Sequence, residues 1–346
     1  MAHRPRKTDS RLTLGTLAAG IGAVLGLRAL LRPRLSFRGK TVLITGGSRG
    51  LGLVLARDFI KEGARVALCG REESTLQRAR EALERLGGTV LAVPCDVRDP
   101  VQVEALVAEV HEHFGAVDVL VNNAGVIQAG PLEAMTLEDF SEALDTHLWA
   151  PLHLTLAVLP EMKQRREGRI VNIASIGGKL GVPHMVPYSA SKFALVGLSD
   201  GMRAELAQDG IRVTTVCPGL MRTGSPQNAT FKGDHEKEYA WFSVSDSLPG
   251  LSMSAERAAR KIVEACRRGD AEAVLGLPAK LGTVARALAP NLTAWLLAYV
   301  NRWLPQDSRP ERFTGTQSET PLTRSWLTEL SRKAAERNNE NGVPLH

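Results

Sequence analysis

A tyrosine and a lysine stand four residues apart at Tyr188 and Lys192, in a stretch whose pattern predicts a helix. Residues at i and i+4 project from one helix face, so the phenol and the ammonium can interact. A phenol with a pKa near 10 is a poor acid–base group at neutral pH, but a nearby ammonium favours the phenolate and lowers that pKa. Ser175, just after a predicted strand, adds a hydroxyl that can hold the same substrate oxygen. We therefore expect Tyr188 to exchange a proton with a substrate oxygen.

A glycine-rich turn follows the first predicted strand, Thr41–Thr45, and leads directly into a helix. Glycines at such a turn let the backbone approach a pyrophosphate, which then lies at the positive end of the helix. The same pattern alone would fit a tight turn, but in a chain of strand–helix units it predicts a dinucleotide site. The residues that we expect in it are Thr45, Gly46, Ser48, Arg49, Gly50, Leu51 and Gly52.

The elements that must position these groups alternate along the chain from Gly39 onward. Short β-branched runs, each next to Gly, Pro, Asp or Asn, are separated by helical stretches such as 72–86 and 101–114. This alternation predicts an α/β fold with a parallel sheet and helices on both of its faces. The predicted strands are 41–45, 65–69, 89–93, 118–121, 169–174, 211–216 and 271–275.

Composition narrows the class of protein. Of the 346 residues, 44% are hydrophobic and 23% are charged, which is typical of a globular chain and excludes wholesale disorder. The four cysteines have no CxxC pairing and no ligand spacing, so we expect neither a metal site nor a secreted disulfide scaffold. A reducing compartment follows from that cysteine usage.

Basic charge is concentrated near the N-terminus. Residues 1–40 hold nine Lys and Arg against Asp9, whereas the net charge of the whole chain is only +6, so the remainder is slightly acidic. Nucleic-acid binding is therefore not expected. Leu12–Leu27 is a run of sixteen uncharged residues between basic clusters, and spanning a bilayer takes about twenty. We expect residues 1–38 to form an apolar helix that spans or touches a membrane; the alternative is a disordered or targeting leader.

The C-terminal part of the chain has a different character. Trp295, Tyr299 and Trp303 recur every four residues and so share one helix face, which fits either packing against the domain or contact with lipid. The polar tail is rich in Arg, Glu and Asn, so we expect it to be loosely ordered. The predicted parts are a catalytic domain at 39–277, an apolar helical extension at 278–305 and the tail at 306–346.

A further motif, Asn122-Asn123-Ala124-Gly125, follows the fourth predicted strand. Together with the glycine turn, Ser175, Tyr188 and Lys192, it resembles the short-chain dehydrogenase/reductase family, in the single-domain branch with TGxxxGxG and YxxxK motifs. The resemblance covers about residues 39–276. It implies a doubly wound, Rossmann-type sheet of about seven strands and reversible hydride transfer between a nicotinamide and an alcohol or carbonyl.

Roles follow from that resemblance. It makes Tyr188 the acid–base, Lys192 the residue that lowers the pKa of Tyr188 and binds the nicotinamide ribose, and Ser175 the residue that orients the substrate. We also expect a homodimer or homotetramer. The remaining cofactor contacts that the resemblance implies are Asp96 and Val97 at the adenine, Asn123, Ala124 and Gly125 in the cofactor wall, and Pro218 and Gly219 at the nicotinamide.

One position departs from the family pattern. His147 stands where the family usually presents an Asn that holds a water in the proton relay. Because an imidazole can also hold a water or pass a proton, we predict a working variation. The alternative is a catalytically weak, NADP(H)-binding redox sensor or scaffold protein.

Cofactor choice follows from charge. The second predicted strand ends without the carboxylate that would bond the adenosine 2′-hydroxyl of NAD, and Arg71 follows it directly. Two guanidinium groups, Arg49 and Arg71, suit a 2′-phosphate, so the sequence predicts NADP(H) over NAD(H). Arg71 alone would also fit a solvated charge at a helix start.

Substrate class and location are the last expectations. The resemblance implies that residues 221–251 form a substrate lid. Aromatic residues in this stretch suggest a bulky apolar substrate, such as a ketoacyl, sphingoid or sterol compound. We expect a membrane-associated protein whose catalytic domain lies in the cytoplasm, or alternatively a soluble cytoplasmic protein. The aromatic residues of the lid are Phe231, Tyr239, Trp241 and Phe242.

Overall fold

A computed structural model describes residues 34–340 of the chain. The chain divides into a short unit, Met1–Leu35, and a large unit that begins at Ser36. The predicted N-terminal helix therefore lies outside the described residues. Within residues 34–340, no helix is both long and apolar enough to cross a membrane.

Seven parallel strands form the central sheet of the large unit, as the sequence predicted. The strands are β1 Thr41–Thr45, β2 Arg65–Gly70, β3 Thr89–Pro94, β4 Val119–Asn122, β5 Gly168–Ile173, β6 Ile211–Pro218 and β7 Glu272–Leu275. Their spatial order is β7-β6-β5-β4-β1-β2-β3, so the order reverses between β1 and β4. Ligands of doubly wound sheets bind at this switch point, outside the carboxyl ends of the strands.

Helices flank the sheet, in agreement with the predicted α/β fold. Those of the predicted catalytic domain are α1 Gly50–Lys61, α2 Glu73–Glu84, α3 Pro100–Phe114, α4 Leu137–Leu144, α5 Ala150–Arg165, α6 Val186–Leu206, α7 His235–Ser247 and α8 Ala255–Arg268. Beyond β7 come α9 Leu277–Leu288, α10 Pro290–Asn301 and α11 Glu329–Arg337. A π-helical turn, Asp145–Trp149, joins α4 to α5 and carries His147. Such turns are frequent at functional sites.

The core lies between the sheet and its helices. Buried strand residues such as Leu43, Leu120 and Ile170 pack with Leu106 and Leu154 of the flanking helices. Each is no more than 1% exposed, and burying such a side chain contributes about 1.5–3 kcal/mol. The sheet is therefore a rigid support for the loops at its carboxyl edge.

The structure moves one boundary of the catalytic domain. Phe37, which the sequence assigned to the N-terminal segment, is 1% exposed and meets Phe59 of α1 edge to face, with ring centroids 5.0 Å apart. The guanidinium of Arg267 lies over the same ring. The packed unit therefore begins before Gly39, because an aromatic anchor fixes its first residues.

The tail also differs from the expectation of loose order. The Arg312 guanidinium donates to the carboxylates of Asp139 and Glu142 in α4, at 2.6 and 2.8 Å. The short strand Phe313–Thr314 pairs with Thr230–Phe231, and Ala334 and Ala335 of α11 are buried. Polar composition suggested disorder, but these side chains find partners on the body that fix the tail through residue 340.

Candidate active site

The glycine turn lies at the carboxyl end of β1 and leads into α1. A Cβ atom on Gly52 would lie 2.2 Å from the carbonyl oxygen of Gly46, so only glycine lets the first helical turn approach the loop this closely. The side-chain amide nitrogen of Asn123 donates to the backbone carbonyls of Thr45 and Gly46, at 2.9 and 3.1 Å. The turn is thereby tied to the end of β4, across the switch point.

Thr45 makes the reciprocal link. Its hydroxyl oxygen accepts hydrogen bonds from the backbone amides of Asn123 and Ala124, at 2.9 and 3.0 Å. Thr45 is 1% exposed, so its side chain supports the site rather than facing a ligand. The structure thus places the Asn-Asn-Ala-Gly motif and the glycine turn side by side.

A cleft of about 500 Å³ runs along this edge of the sheet. Sites for small molecules and cofactors are typically of this size. Thr45, Gly52, Ser175, Pro218 and Gly219 are not among the residues that line it. The predicted residues that do line it are Gly46, Ser48, Arg49, Gly50, Leu51, Arg71, Asp96, Val97, Asn123, Ala124, Gly125, His147, Tyr188 and Lys192.

Pro218 and Gly219 lie toward the far edge of the sheet. Pro218 ends β6 opposite Leu275, and the amide of Gly219 donates to the Leu275 carbonyl at 2.9 Å. A Cβ atom on Gly219 would lie 3.2 Å from Ala279 of α9. Their predicted nicotinamide contact therefore stays a prediction.

The Tyr188, Lys192 and Ser175 side chains meet at one end of the cleft. Tyr188 and Lys192 lie one turn apart on α6, with the ammonium 5.7 Å from the centre of the phenol ring. The Lys192 ammonium donates to the Ile173 carbonyl at 2.9 Å, which fixes it beneath the end of β5. Ser175 follows that strand, and its Oγ accepts from the Gly177 amide at 3.0 Å. The structure thus brings together the three residues that the sequence singled out.

The acid–base properties of this group are dominated by burial. Burial raises the pKa of Tyr188 to about 12, while a hydrogen bond from Ser175 opposes the rise. Burial also lowers the pKa of Lys192 to about 7. This differs from the expectation that Lys192 lowers the pKa of Tyr188, because loss of solvation is the largest effect on both groups. Around neutral pH, Tyr188 is therefore a protonated phenol that can donate its proton.

His147 is buried beside this group, with its ring edge to face against Tyr188 at 5.5 Å between ring centres. The Val126 amide donates to Nε2 at 3.1 Å, so Nε2 carries no proton. Nδ1 then holds the proton and donates to Ser191 Oγ at 2.7 Å, while Ser191 donates to the Tyr188 carbonyl. Burial and the nearby Lys192 lower the pKa of His147 well below 6.5, so the ring is neutral.

This arrangement gives His147 a positioning role. Both ring nitrogens are occupied by protein partners, so the imidazole braces the cofactor wall rather than presenting a free nitrogen to a water. A Cβ atom on Gly125 would lie 3.1 Å from Nε2, so the wall packs tightly against the ring at this position. The sequence singled out His147 but did not indicate that Val126 and Ser191 would be its hydrogen-bond partners.

The other end of the cleft carries several charges. Arg71 is exposed there, and its charge contributes to lowering the pKa of Asp96, after the larger effect of Arg98. The Arg98 guanidinium holds the Asp96 carboxylate with two nitrogens, Nη2 at 2.6 Å and Nε at 3.0 Å. Arg98 was not predicted, although its position two residues after Asp96 could have indicated the pair. Arg49 lies on the glycine turn beside the same cleft.

The lid aromatics do not line the cleft as the sequence suggested. Phe231, Tyr239 and Phe242 are at most 6% exposed and form a core cluster with Met185 and Ala229, against which Tyr188 packs. The Trp241 ring also packs against this cluster. Their role is therefore to support the lid, because aromatic residues in a loop-rich segment can pack on one another as readily as on a ligand.

Sequence reasoning also missed a contribution from the far end of the chain. Glu340 lines the cleft, and its carboxylate accepts from the Gly224 amide and the Asn228 side chain, both at 2.9 Å. Asn339 donates to the carbonyl of Ser48 in the glycine turn at 2.8 Å. No local pattern points to these contacts, since they join residues that lie 112 to 291 positions apart along the chain.

Comparison with known proteins identifies the class to which this fold and site belong. A family model described as short chain dehydrogenase matches residues 40–232. The chain belongs to the short-chain dehydrogenase/reductase family and is a dehydrogenase/reductase that acts on CH–OH groups with a nicotinamide cofactor.

Particular relatives cover most of the chain. It is 35% identical over 286 residues to the "Dehydrogenase/reductase SDR family member 7B" of Bos taurus, which spans 81% of this chain and 86% of that protein. It is 44% identical over 183 residues to the "Ketoacyl reductase HetN" of Nostoc sp.. The latter match covers 53% of this chain and 64% of the Nostoc protein.

Two solved structures are also similar to this chain. A short-chain dehydrogenase from Streptomyces avermitilis is 29% identical, with a TM-score of 0.66, and the match covers 76% of this chain and 98% of that one. L-Sorbose reductase from Gluconobacter frateurii, solved with NADPH and L-sorbose, is also 29% identical, with a TM-score of 0.63. That match covers 70% of this chain and 97% of the reductase.

Proposed function

We propose that this protein is an NADP(H)-dependent oxidoreductase that interconverts a carbonyl and a secondary alcohol on a lipophilic substrate at a membrane. The observation that carries the reaction is the convergence of Tyr188, Ser175 and Lys192 at one end of a cleft whose other parts suit a dinucleotide. A bound nicotinamide supplies or accepts the hydride, and the chain's own residues handle the proton.

Tyr188 holds the proton that a carbonyl oxygen needs when it becomes an alcohol. Because burial raises its pKa to about 12, the phenol is protonated at neutral pH, and it needs a nearby positive charge to become a good proton donor. The Ser175 hydroxyl lies beside the phenol and would hold the substrate oxygen in line with it. Lys192 is fixed by the Ile173 carbonyl, and its pKa of about 7 leaves it partly protonated at neutral pH, so its ammonium form can stabilise the phenolate left after transfer.

The cleft also supports the cofactor assignment. Backbone amides at the start of α1 suit a pyrophosphate, and the Arg49 and Arg71 side chains at the adenosine end suit a 2′-phosphate. The carboxylate nearest to this end, Asp96, is already paired with Arg98, which reduces its repulsion of a phosphate. We therefore keep NADP(H) as the preferred cofactor.

Apolar surfaces support a lipophilic substrate and a membrane location. Val126, Ile127 and Met221 line the cleft near Tyr188. Trp295 on α10 is 62% exposed and Trp303, in the turn just after α10, is 78% exposed, which is typical of a surface that meets the lipid–water boundary. We propose membrane association with the catalytic domain in the cytoplasm; assembly into a homodimer or homotetramer stays a prediction.

The α9–α10 region adds charge to this argument. Helix α9 contains Lys280 and Arg286 and no acidic residue, whereas α10 contains neither basic nor acidic residues. Leu281, Leu288 and Leu292 of these helices are exposed. Basic and aromatic residues around an apolar face suit a bilayer with anionic lipids. A substrate dissolved in lipid would then reach the cleft from the surface to which the protein binds.

The test is a panel of carbonyl compounds with NADPH, comparing the wild type with Tyr188→Phe. The panel spans β-ketoacyl thioesters, sphingoid and steroid ketones, and polar ketoses. We expect the wild type to reduce lipophilic members, and the variant to lose about 100-fold or more in rate while still binding NADPH. Tyr299→Phe, on exposed α10, is the matched control and should keep full activity.

Equal background rates for wild type and Tyr188→Phe across the whole panel would refute the proposal that this protein catalyses carbonyl reduction through Tyr188. In that case the alternative of a catalytically weak, dinucleotide-binding sensor or scaffold would be favoured. Activity confined to the polar ketoses would instead refute the lipophilic substrate.

A further inference from the structure

The last described residues of the chain lie across the glycine turn. After α11 ends at Arg337, Asn338 and Asn339 are 0% and 2% exposed, which is unusual for asparagine side chains. Asn339 adopts a left-handed backbone with φ of +62°. This bend turns the chain from the helix direction into the cleft. We call residues 338–340 the C-terminal clasp.

On one side, the clasp is bonded to the turn and to α2. The side-chain amide nitrogen of Asn339 donates to the backbone carbonyls of Ser48 and Thr75, at 2.8 and 2.9 Å. The Arg78 side chain donates to the Asn339 amide oxygen at 3.0 Å. Because these groups are buried, each bond also satisfies a polar atom that would otherwise be costly to bury.

On the other side, the clasp occupies the helix end that a pyrophosphate needs. The amide of Gly50, the first residue of α1, donates to the Asn338 carbonyl at 2.9 Å. The Glu340 carboxylate lies so close that a Cβ atom on Gly50 would be 2.6 Å from its Oε1. The same carboxylate reaches the Gly224 amide and the Asn228 side chain, so the clasp spans from the glycine turn to the lid.

A phosphate group and the C-terminal clasp cannot both occupy the N-terminus of α1. An amide that already donates to the Asn338 carbonyl is not free for a phosphate oxygen, and helix N-termini bind anions through such amides. Burial raises the pKa of Glu340, while the Gly224 amide and the charge of Arg49 on the glycine turn favour its carboxylate form, so this carboxylate competes with a phosphate for the same partners. A second anion placed beside it would be repelled.

We infer that the C-terminal clasp is an autoinhibitory element, displaced from the first turn of α1 and from Gly224 when a nicotinamide dinucleotide binds. The inference rests on the proposed dinucleotide site. It assigns a cofactor-gating role to Asn339 and Glu340, which belong to none of the predicted motifs. Since the contested position is that of the pyrophosphate, the clasp should oppose NADPH and NADH to the same degree.

The experiment compares dissociation constants of NADPH and NADH, measured by tryptophan fluorescence on the full chain, for wild type and Glu340→Gln. The substitution keeps the shape of the side chain and removes its charge. We expect both dinucleotides to bind about 3–10-fold more tightly to the variant, as for removal of a nearby like charge. Glu336→Gln, exposed in the last turn of α11, is the matched control and should bind like the wild type.

Two further readouts separate displacement from simple packing. Asn339→Ala breaks the clasp without changing charge and should also tighten binding. Hydrogen exchange of a peptide covering 329–340 should become faster when NADPH is added to the wild type, because the segment is released. Slower exchange, or weaker binding by Glu340→Gln, would mean that the clasp closes over the cofactor and would overturn the inference.

The outcomes also distinguish this inference from the proposed function. Tight dinucleotide binding that is the same in wild type, Glu340→Gln and Asn339→Ala refutes the clasp and leaves the proposed function standing. If the wild type and both variants fail to bind either dinucleotide, the proposed cofactor site itself is wrong and the inference fails with it.

Discussion

His147 should make the stability of the protein depend on pH in a way that its replacement abolishes. The pKa of the buried ring lies well below 6.5 because of burial and the charge of Lys192. The imidazole of an unfolded chain has a pKa of about 6.5. Between these values the unfolded state binds a proton that the folded state does not. The contribution of the neutral His147 ring to stability is therefore fully present above pH 6.5 and is lost as the pH falls toward the folded-state pKa.

The size of the effect follows from that difference. At pH 5.0, about 1.5 pH units below the unfolded pKa, protonation of His147 in the unfolded state costs at most about 2 kcal/mol of stability relative to pH 7.5. His147→Asn removes the titrating group, so the variant should lose less stability than the wild type over this range. Its absolute stability should still be lower, because the Val126 amide and Ser191 lose their partner.

The assay is urea unfolding of both proteins at pH 7.5 and pH 5.0, followed by tryptophan fluorescence. His113→Asn removes an exposed imidazole and is the matched control, which should keep the wild-type pH dependence. If His147→Asn and wild type lose the same free energy of unfolding between the two pH values, the ring is not held neutral, and the positioning role argued for it is wrong.

Three further predictions concern charge and attachment. Arg71→Asp should weaken NADPH binding by about 1–3 kcal/mol in isothermal titration and NADH binding much less; a wild type that prefers NADH would contradict the cofactor choice. Lys232→Met removes the ammonium that lies 2.6 Å from the buried Asp139 carboxylate and should lower the free energy of unfolding by about 3 kcal/mol, with part of the loss recovered in the double variant with Asp139→Asn. Deleting residues 1–35 should move much of the protein from the membrane fraction to the soluble fraction with NADPH binding intact, since Phe37 is retained; a full-length protein that is soluble without detergent would refute the anchor.

The sheet and the centre of the active site could be predicted because their signals are local. Each strand is a short β-branched run next to a turn residue, and parallel order follows from the alternation with helices. The Tyr188 and Lys192 pair is fixed by the helical repeat alone. Ser175 and the glycine turn follow strands, so their convergence at one sheet edge follows from the fold.

The features that escaped prediction depend on contacts between distant residues. The lid aromatics could not be assigned to core or cleft from their type, because packing decides it. Polarity suggested a loose tail, yet Arg312 finds buried Asp139, and Asn339 bonds to Ser48, 291 residues away. The altered acid–base behaviour of Tyr188 has the same origin, since burial depends on the whole assembled site.

The distance along the chain between the glycine turn and the clasp has a consequence for biosynthesis. The sheet is complete once Leu275 of β7 has been made, whereas Glu340 comes roughly 65 residues later. At about 5–20 residues per second, that interval lasts about 3–13 s, and domains generally fold as units while synthesis proceeds. During this interval the nascent protein has a finished nucleotide cleft and no competing carboxylate, so cofactor loading on the ribosome would meet less resistance than loading of the mature enzyme.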